Sequence, residues 1–75
     1  QFKSMTMTHY QQAKQQLKQF AKEVKVIYPK DKPAQREAIN NMADSIGREF
    51  YRYMSDRKAA QCINWISSFA ASLHP

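Results

Sequence analysis

Seventy-five residues suffice for one small domain and exclude a second, because a chain this short buries only a modest share of its surface. A single Gly and three Pro leave few turns, while 43% apolar residues, with four Phe, four Tyr and one Trp, supply a core; this balance favours helices joined by short loops over strands and hairpins. Twelve Lys and Arg against six acids give a formal charge of +6, which suits an anionic partner or a highly soluble surface and says nothing about fold.

Gln1 to Thr6 show no period and are expected to fray. From about Thr8, the positions Tyr10, Ala13, Leu17, Phe20, Ala21, Val24, Ile27 and Tyr28 recur at the spacing of a helix with one buried face. The pattern predicts a first helix over 8–28, with Thr6 or Thr8 as its N-cap. Lys14, Lys18 and Lys22 follow one another at four-residue intervals and Lys25 falls in the same arc. Glu23, the only acid of this segment, projects elsewhere and compensates the stripe poorly. Such a stripe suits a phosphate backbone, and it equally suits a solvated face that keeps the protein soluble.

The next stretch, Tyr28-Pro29-Lys30-Asp31-Lys32-Pro33, separates the first helix from the second. Pro29 disfavours helical geometry at Tyr28, and Pro33 lacks the amide that an interior helix position donates. Asp31 can cap the amides that follow, with Pro33 placed in the first turn, where a missing donor matters least. The run YPKDKPAQREAINNMADSI resembles a segment of short, uncharacterised proteins carried by phages and other mobile elements, in which a similar Asp-Lys-Pro-Ala turn precedes Arg-Glu-Ala and an Asn-rich helix. The resemblance covers about a quarter of the chain and implies a mobile-element origin without naming an activity.

A second helix is predicted over 33–54, with Ile39, Met42, Ala43, Ile46, Phe50 and Tyr53 on its apolar face. Gly47 interrupts good helix formers and suits a close crossing by another helix. Asn40 and Asn41 are read as exposed polar positions, whereas Asp44 with Arg48 and Glu49 with Arg52 have the spacing of surface ion pairs. No Gly or Pro marks the next break. Continued as one helix, however, the chain would turn Ile63, Ile66 and Leu73 to the side opposite Ile39 and Ile46. A turn capped by Ser55 or Asp56 restores a common core and starts a third helix over 56–73, with Ala59, Cys62, Ile63, Ile66, Phe69, Ala70 and Leu73 facing inward. The alternative is one long helix in an intertwined dimer. Trp65, on the edge of the third face, either closes the core or anchors a partner.

The expected fold is therefore all-α, an antiparallel three-helix bundle in a single domain, as a monomer or a homodimer. Neither a catalytic site nor a cofactor or metal site is expected: His9, His74 and one Cys lack ligand spacing, and one Gly cannot build a phosphate loop. Cys62 lies on the predicted core face, where a reduced thiol acts as a small hydrophobe. A lone thiol and the lack of a membrane-length apolar run lead to the expectation of a cytoplasmic protein with no membrane span. A membrane-surface role for the first helix, with its Lys flank beside Leu17 and Phe20, ranks third because that apolar face is more simply spent on the bundle, and no membrane partner is expected.

Two binding modes follow. In the first, Lys14, Lys18, Lys22, Lys25, Arg52, Arg57 and Lys58, helped by Lys30 and Lys32, contact the phosphates of nucleic acid without reading sequence. In the second, a protein partner or a second copy docks on Val26, Tyr51 and Trp65, with Tyr53 and Met54 at the margin.

Overall fold

The computed structural model describes residues 5–74, with side chains from residue 9 onward. Three helices, α1 (Met5–Ile27), α2 (Lys32–Phe50) and α3 (Asp56–Ser72), pack against one another in an all-α bundle. Two short turns reverse the chain, so α2 runs antiparallel to its neighbours and α1 lies parallel to α3. Leu17, Val24, Ile39, Cys62 and Ile66 are fully buried, and Ala13, Ala21, Ala43, Ala59 and Ala70 fill the spaces between the helices. Those alanines let the helix axes approach closely while contributing good helix propensity.

The first helix starts earlier than the sequence pattern suggests. Its backbone is already helical at Met5, so Thr6 and Thr8 lie within it and neither is the N-cap. Threonine disfavours a helix interior only weakly, and no Gly or Pro halts the helix there. Of the segment expected to fray, residues 1–4 lie outside the described residues. At the other end α1 stops at Ile27, one residue short of the expected boundary, as the influence of Pro29 on Tyr28 requires.

The corner between α1 and α2 is built from side chains that satisfy backbone groups. Asp31 caps α2, its Oδ1 accepting from the Ala34 amide at 3.1 Å, and Pro33 occupies the first turn as its missing donor allows. The buried Gln35 adds a contact that periodicity does not reveal: its Nε2 donates to the Tyr28 carbonyl at 2.6 Å. This bond spans seven residues and ties the first turn of α2 to the end of α1.

The second break falls where the phase of the apolar face requires it, and α2 and α3 are separate helices. The second helix ends at Phe50, four residues before the expected boundary at 54. There the chain tightens, the Arg52 amide donating to the Glu49 carbonyl at 3.0 Å and the Tyr53 amide to the Phe50 carbonyl at 3.1 Å. Tyr53 therefore leaves the α2 face to which it was assigned; it is 53% exposed and stacks on the His9 ring at a centroid distance of 4.4 Å. Ser55 caps α3 by accepting from the Lys58 amide at 3.4 Å. At the far end of α3 the His74 side chain meets Asn40 Oδ1 on α2, with Nε2 at 2.8 Å.

Gly47 lies at a close approach of α2 and α3. A Cβ there would lie 3.1 Å from Ile63 Cγ1, and the residue has no positive φ, so the glycine serves space and not backbone conformation. Gly47→Ala gains about 1 kcal/mol of helix propensity and displaces Ile63. It is expected to change stability little in the native chain and to stabilise it by about 1 kcal/mol in an Ile63→Ala background, read by urea unfolding; equal effects in both backgrounds would remove the steric coupling.

The Gln35 amide generates a second expectation. Gln35→Glu places a carboxylate against the Tyr28 carbonyl, so the folded chain favours the protonated acid and raises its pKa above that of the unfolded chain. The variant is expected to be destabilised near neutral pH by roughly 1–3 kcal/mol relative to the parent. It should recover as pH falls through its raised folded value, because the protonated oxygen donates as the amide did. Thermal unfolding of variant and parent at pH 4 and pH 7 tests this; a deficit that does not shrink on acidification contradicts it.

Candidate nucleic-acid interface

The three helices divide the charge of the molecule unequally. With Leu17 at the centre of the buried face of α1, the ~100° advance per residue places Lys14, Lys25, Lys18 and Lys22 on one flank at about 60°, 80°, 100° and 140°. Glu23 projects at about 120° on the other flank. Side-chain contacts identify the two flanks. Lys14 Nζ lies 5.0 Å from the centre of the Phe69 ring, so the side of α1 that carries the lysines is the side turned toward α3. His9, Gln12 and Gln16 line a groove of about 460 Å³ with Met42, Ser45 and Glu49, so the flank of Glu23 borders α2.

The third helix meets the lysine flank with its aromatic edge. Relative to Ile66, residues Phe69, Lys58 and Trp65 lie at about 60°, 80° and 100° on the side turned toward α1. Ile63 and His74 turn the other way, toward Gly47 and Asn40 of α2. Trp65 meets Tyr10 of α1 edge to face, with centroids 5.3 Å apart and planes inclined by 61°. Lys14 Nζ stands 5.6 Å from the Tyr10 ring as well as over Phe69. Tyr10 beside Trp65 and Lys14 beside Phe69 are the same four-residue step on both helices, which is the parallel register of α1 and α3. In that register α3 ends at Ser72 opposite Leu17, so Lys18, Lys22 and Lys25 carry the lysine flank on along α1 past the end of α3.

None of the six acids lies on this α1–α3 face. Glu23 and Glu49 are on the α1–α2 side, and Asp31 is committed to its cap. Glu37 and Asp44 point outward from α2 at about 160° and 140° from Ile39, and Asp56 lies on the α2 side of α3. Lys18, Lys22, Lys25 and Lys58 are exposed, and no salt bridge engages them among the described residues.

The remaining candidate cations stand apart from this face. Arg57 projects at about 180° from Ile66, directly away from the bundle. Arg52 lies in the turn before α3, 3.8 Å from Glu49 in an exposed pair. The Asp44–Arg48 pair expected from spacing does not form; Arg48 instead reaches Ser45 Oγ at 3.5 Å. Lys14 is half-buried between the two rings, so its charge is directed partly inward.

The three apolar candidates for a protein contact are not brought together. Val26, 79% exposed, sits near the α1–α2 corner, Tyr51 at the opposite end of α2, and Trp65 mid-helix on α3. Around Val26 the structure adds two residues that periodicity assigned to the core, Ile27 at 63% and Tyr28 at 42% exposure. They are exposed because the last core position of α1 is Val24, beyond which the chain leaves the bundle.

Burial raises the Cys62 thiol above its ordinary pKa, and burial followed by the nearby Cys62 raises that of the Tyr10 hydroxyl. Both groups are therefore neutral near pH 7 and leave the lysines as the charges of this face. Among the described residues no group of three His, Cys, Asp or Glu side chains is placed to hold a metal ion, and no helix is long and apolar enough to cross a membrane. Comparison of the chain with family models, with curated proteins and with solved structures finds no match.

Proposed function

We propose that the chain is a small basic accessory protein that binds nucleic acid through phosphate contacts along the α1–α3 face. The observation that carries this reading is the segregation of charge: Lys18, Lys22, Lys25 and Lys58 are exposed on a face from which every acid is absent. A polyanion laid along α1 meets lysines at each turn, and the counterions it releases favour binding without reading sequence. The resemblance of the Tyr28–Ile46 segment to mobile-element proteins accords with such an accessory role and adds no specificity.

Fluorescence anisotropy of a labelled oligonucleotide at two salt concentrations tests the reading. Affinity should fall steeply with salt, and the combined Lys18→Gln, Lys22→Gln, Lys25→Gln variant should flatten the logarithmic slope by about 2–3, at roughly 0.7–0.9 per lost phosphate contact. Arg57→Gln, on the outward side of α3, should change that slope much less. Absence of binding at low salt would overturn the proposal.

A second reading rests on the contiguous exposure of Val26, Ile27 and Tyr28. We infer that this corner is where a protein partner docks, a second copy of the chain being the simplest one. Sedimentation velocity over a range of concentrations is expected to show a dimer that Ile27→Ser disperses; a monomer throughout would remove the self-association reading.

A further inference from the structure

We propose that the α1–α3 face is a single-strand site, in which Trp65 stacks on an unpaired base while the lysines of α1 hold the phosphates; the inference rests on the nucleic-acid reading of that face. A duplex offers phosphates but hides its bases, so a protein using lysines alone has no reason to prefer unpaired strands. This face carries more than lysines. Trp65 is 37% exposed although it belongs to a helix with ample buried positions, and its ring is oriented by the edge contact with Tyr10 at 5.3 Å. Tyr10 and Phe69 hold Lys14 between them at 5.6 and 5.0 Å, so cation and aromatic groups form one connected cluster. The Tyr10 hydroxyl is protonated at neutral pH, and burial raises its pKa further, so the ring supporting Trp65 adds no negative charge against a phosphate.

The parallel register places this cluster within the lysine row. From Trp65, Lys58 lies seven residues toward one end of the bundle, and Lys18, Lys22 and Lys25 extend from Tyr10 toward the other. At 1.5 Å per residue the face from Lys58 to Lys25 spans about 33 Å. That length takes several nucleotides of extended strand, with an aromatic platform near one end and phosphate contacts on either side. Base stacking on such a ring tolerates any sequence, because every base presents a π face.

Trp65 is the only tryptophan of the chain, so its emission reports the contact directly. The full chain is titrated at low salt with an oligothymidylate of roughly 12 nucleotides, within the range of single-strand sites, and separately with a duplex carrying the same number of phosphates. Trp65 emission and the anisotropy of labelled strands are followed together. The expected result is quenching that saturates with the single strand, and an affinity for it about tenfold above that for the duplex. Trp65→Leu should lower single-strand affinity by about tenfold with duplex affinity unchanged, and Trp65→Phe should restore part of the loss. The quench is read on the unaltered chain, so the outcome does not depend on either variant folding. Duplex binding as tight as single-strand binding, with unchanged Trp65 emission, overturns the stacking inference and leaves the phosphate-binding proposal standing. Failure of both nucleic acids to bind overturns both.

Discussion

The buried amide of Gln35 is the interaction on which the arrangement of the helices most depends. A helix that stops leaves its last carbonyls without partners, and the next helix begins with amides in the same condition. At the first corner both needs are met within a few residues, Gln35 reaching back to the Tyr28 carbonyl and Asp31 accepting from Ala34. The corner therefore sets a direction as well as a reversal. It holds the start of α2 against the end of α1, and α3 packs across both.

The elements themselves were legible because each helix repeats its apolar residues cleanly, and because the phase of Ile66 and Leu73 is incompatible with an unbroken helix from Ala34. The caps at Asp31 and Ser55 were legible from side-chain chemistry. What remained hidden depends on handedness. Periodicity gives the buried face of each helix but not which flank meets which neighbour, so nothing in the pattern of α1 alone says that Lys14 borders Phe69 and not Met42. Gln35 escaped notice because a polar side chain on an apolar face reads as a mismatch until its acceptor is known, and that acceptor is a backbone carbonyl seven residues away. Tyr53 was misplaced because α2 tightens at Phe50 with no Gly or Pro to signal it.

That handedness also determines how the charges interact. Like charges four residues apart disfavour a helix by a few tenths of a kcal/mol each, and the lysines of α1 have no acid across the α1–α3 boundary to relieve them. Had α3 packed on the other flank, Glu23 would have lain beside it and the lysines would have met α2. Lys14 shows how the bundle accommodates the most inward of them, resting its ammonium on two aromatic rings that attract a cation without supplying a negative charge. The rest of the row stays outside, hydrated and screened by mobile ions.

Cys62 has no exposed surface, and its thiol is held in the protonated, unreactive form at the centre of the bundle. An oxidant or alkylating reagent meets this sulfur only when α3 separates from its neighbours. Its modification would then introduce bulk into the buried cluster that includes Ala59 and Ile66, which costs a packed core about 1–3 kcal/mol. A single atom group thus makes chemical modification of this core conditional on the opening of the bundle, so that the rate at which Cys62 reacts reports how often α3 opens.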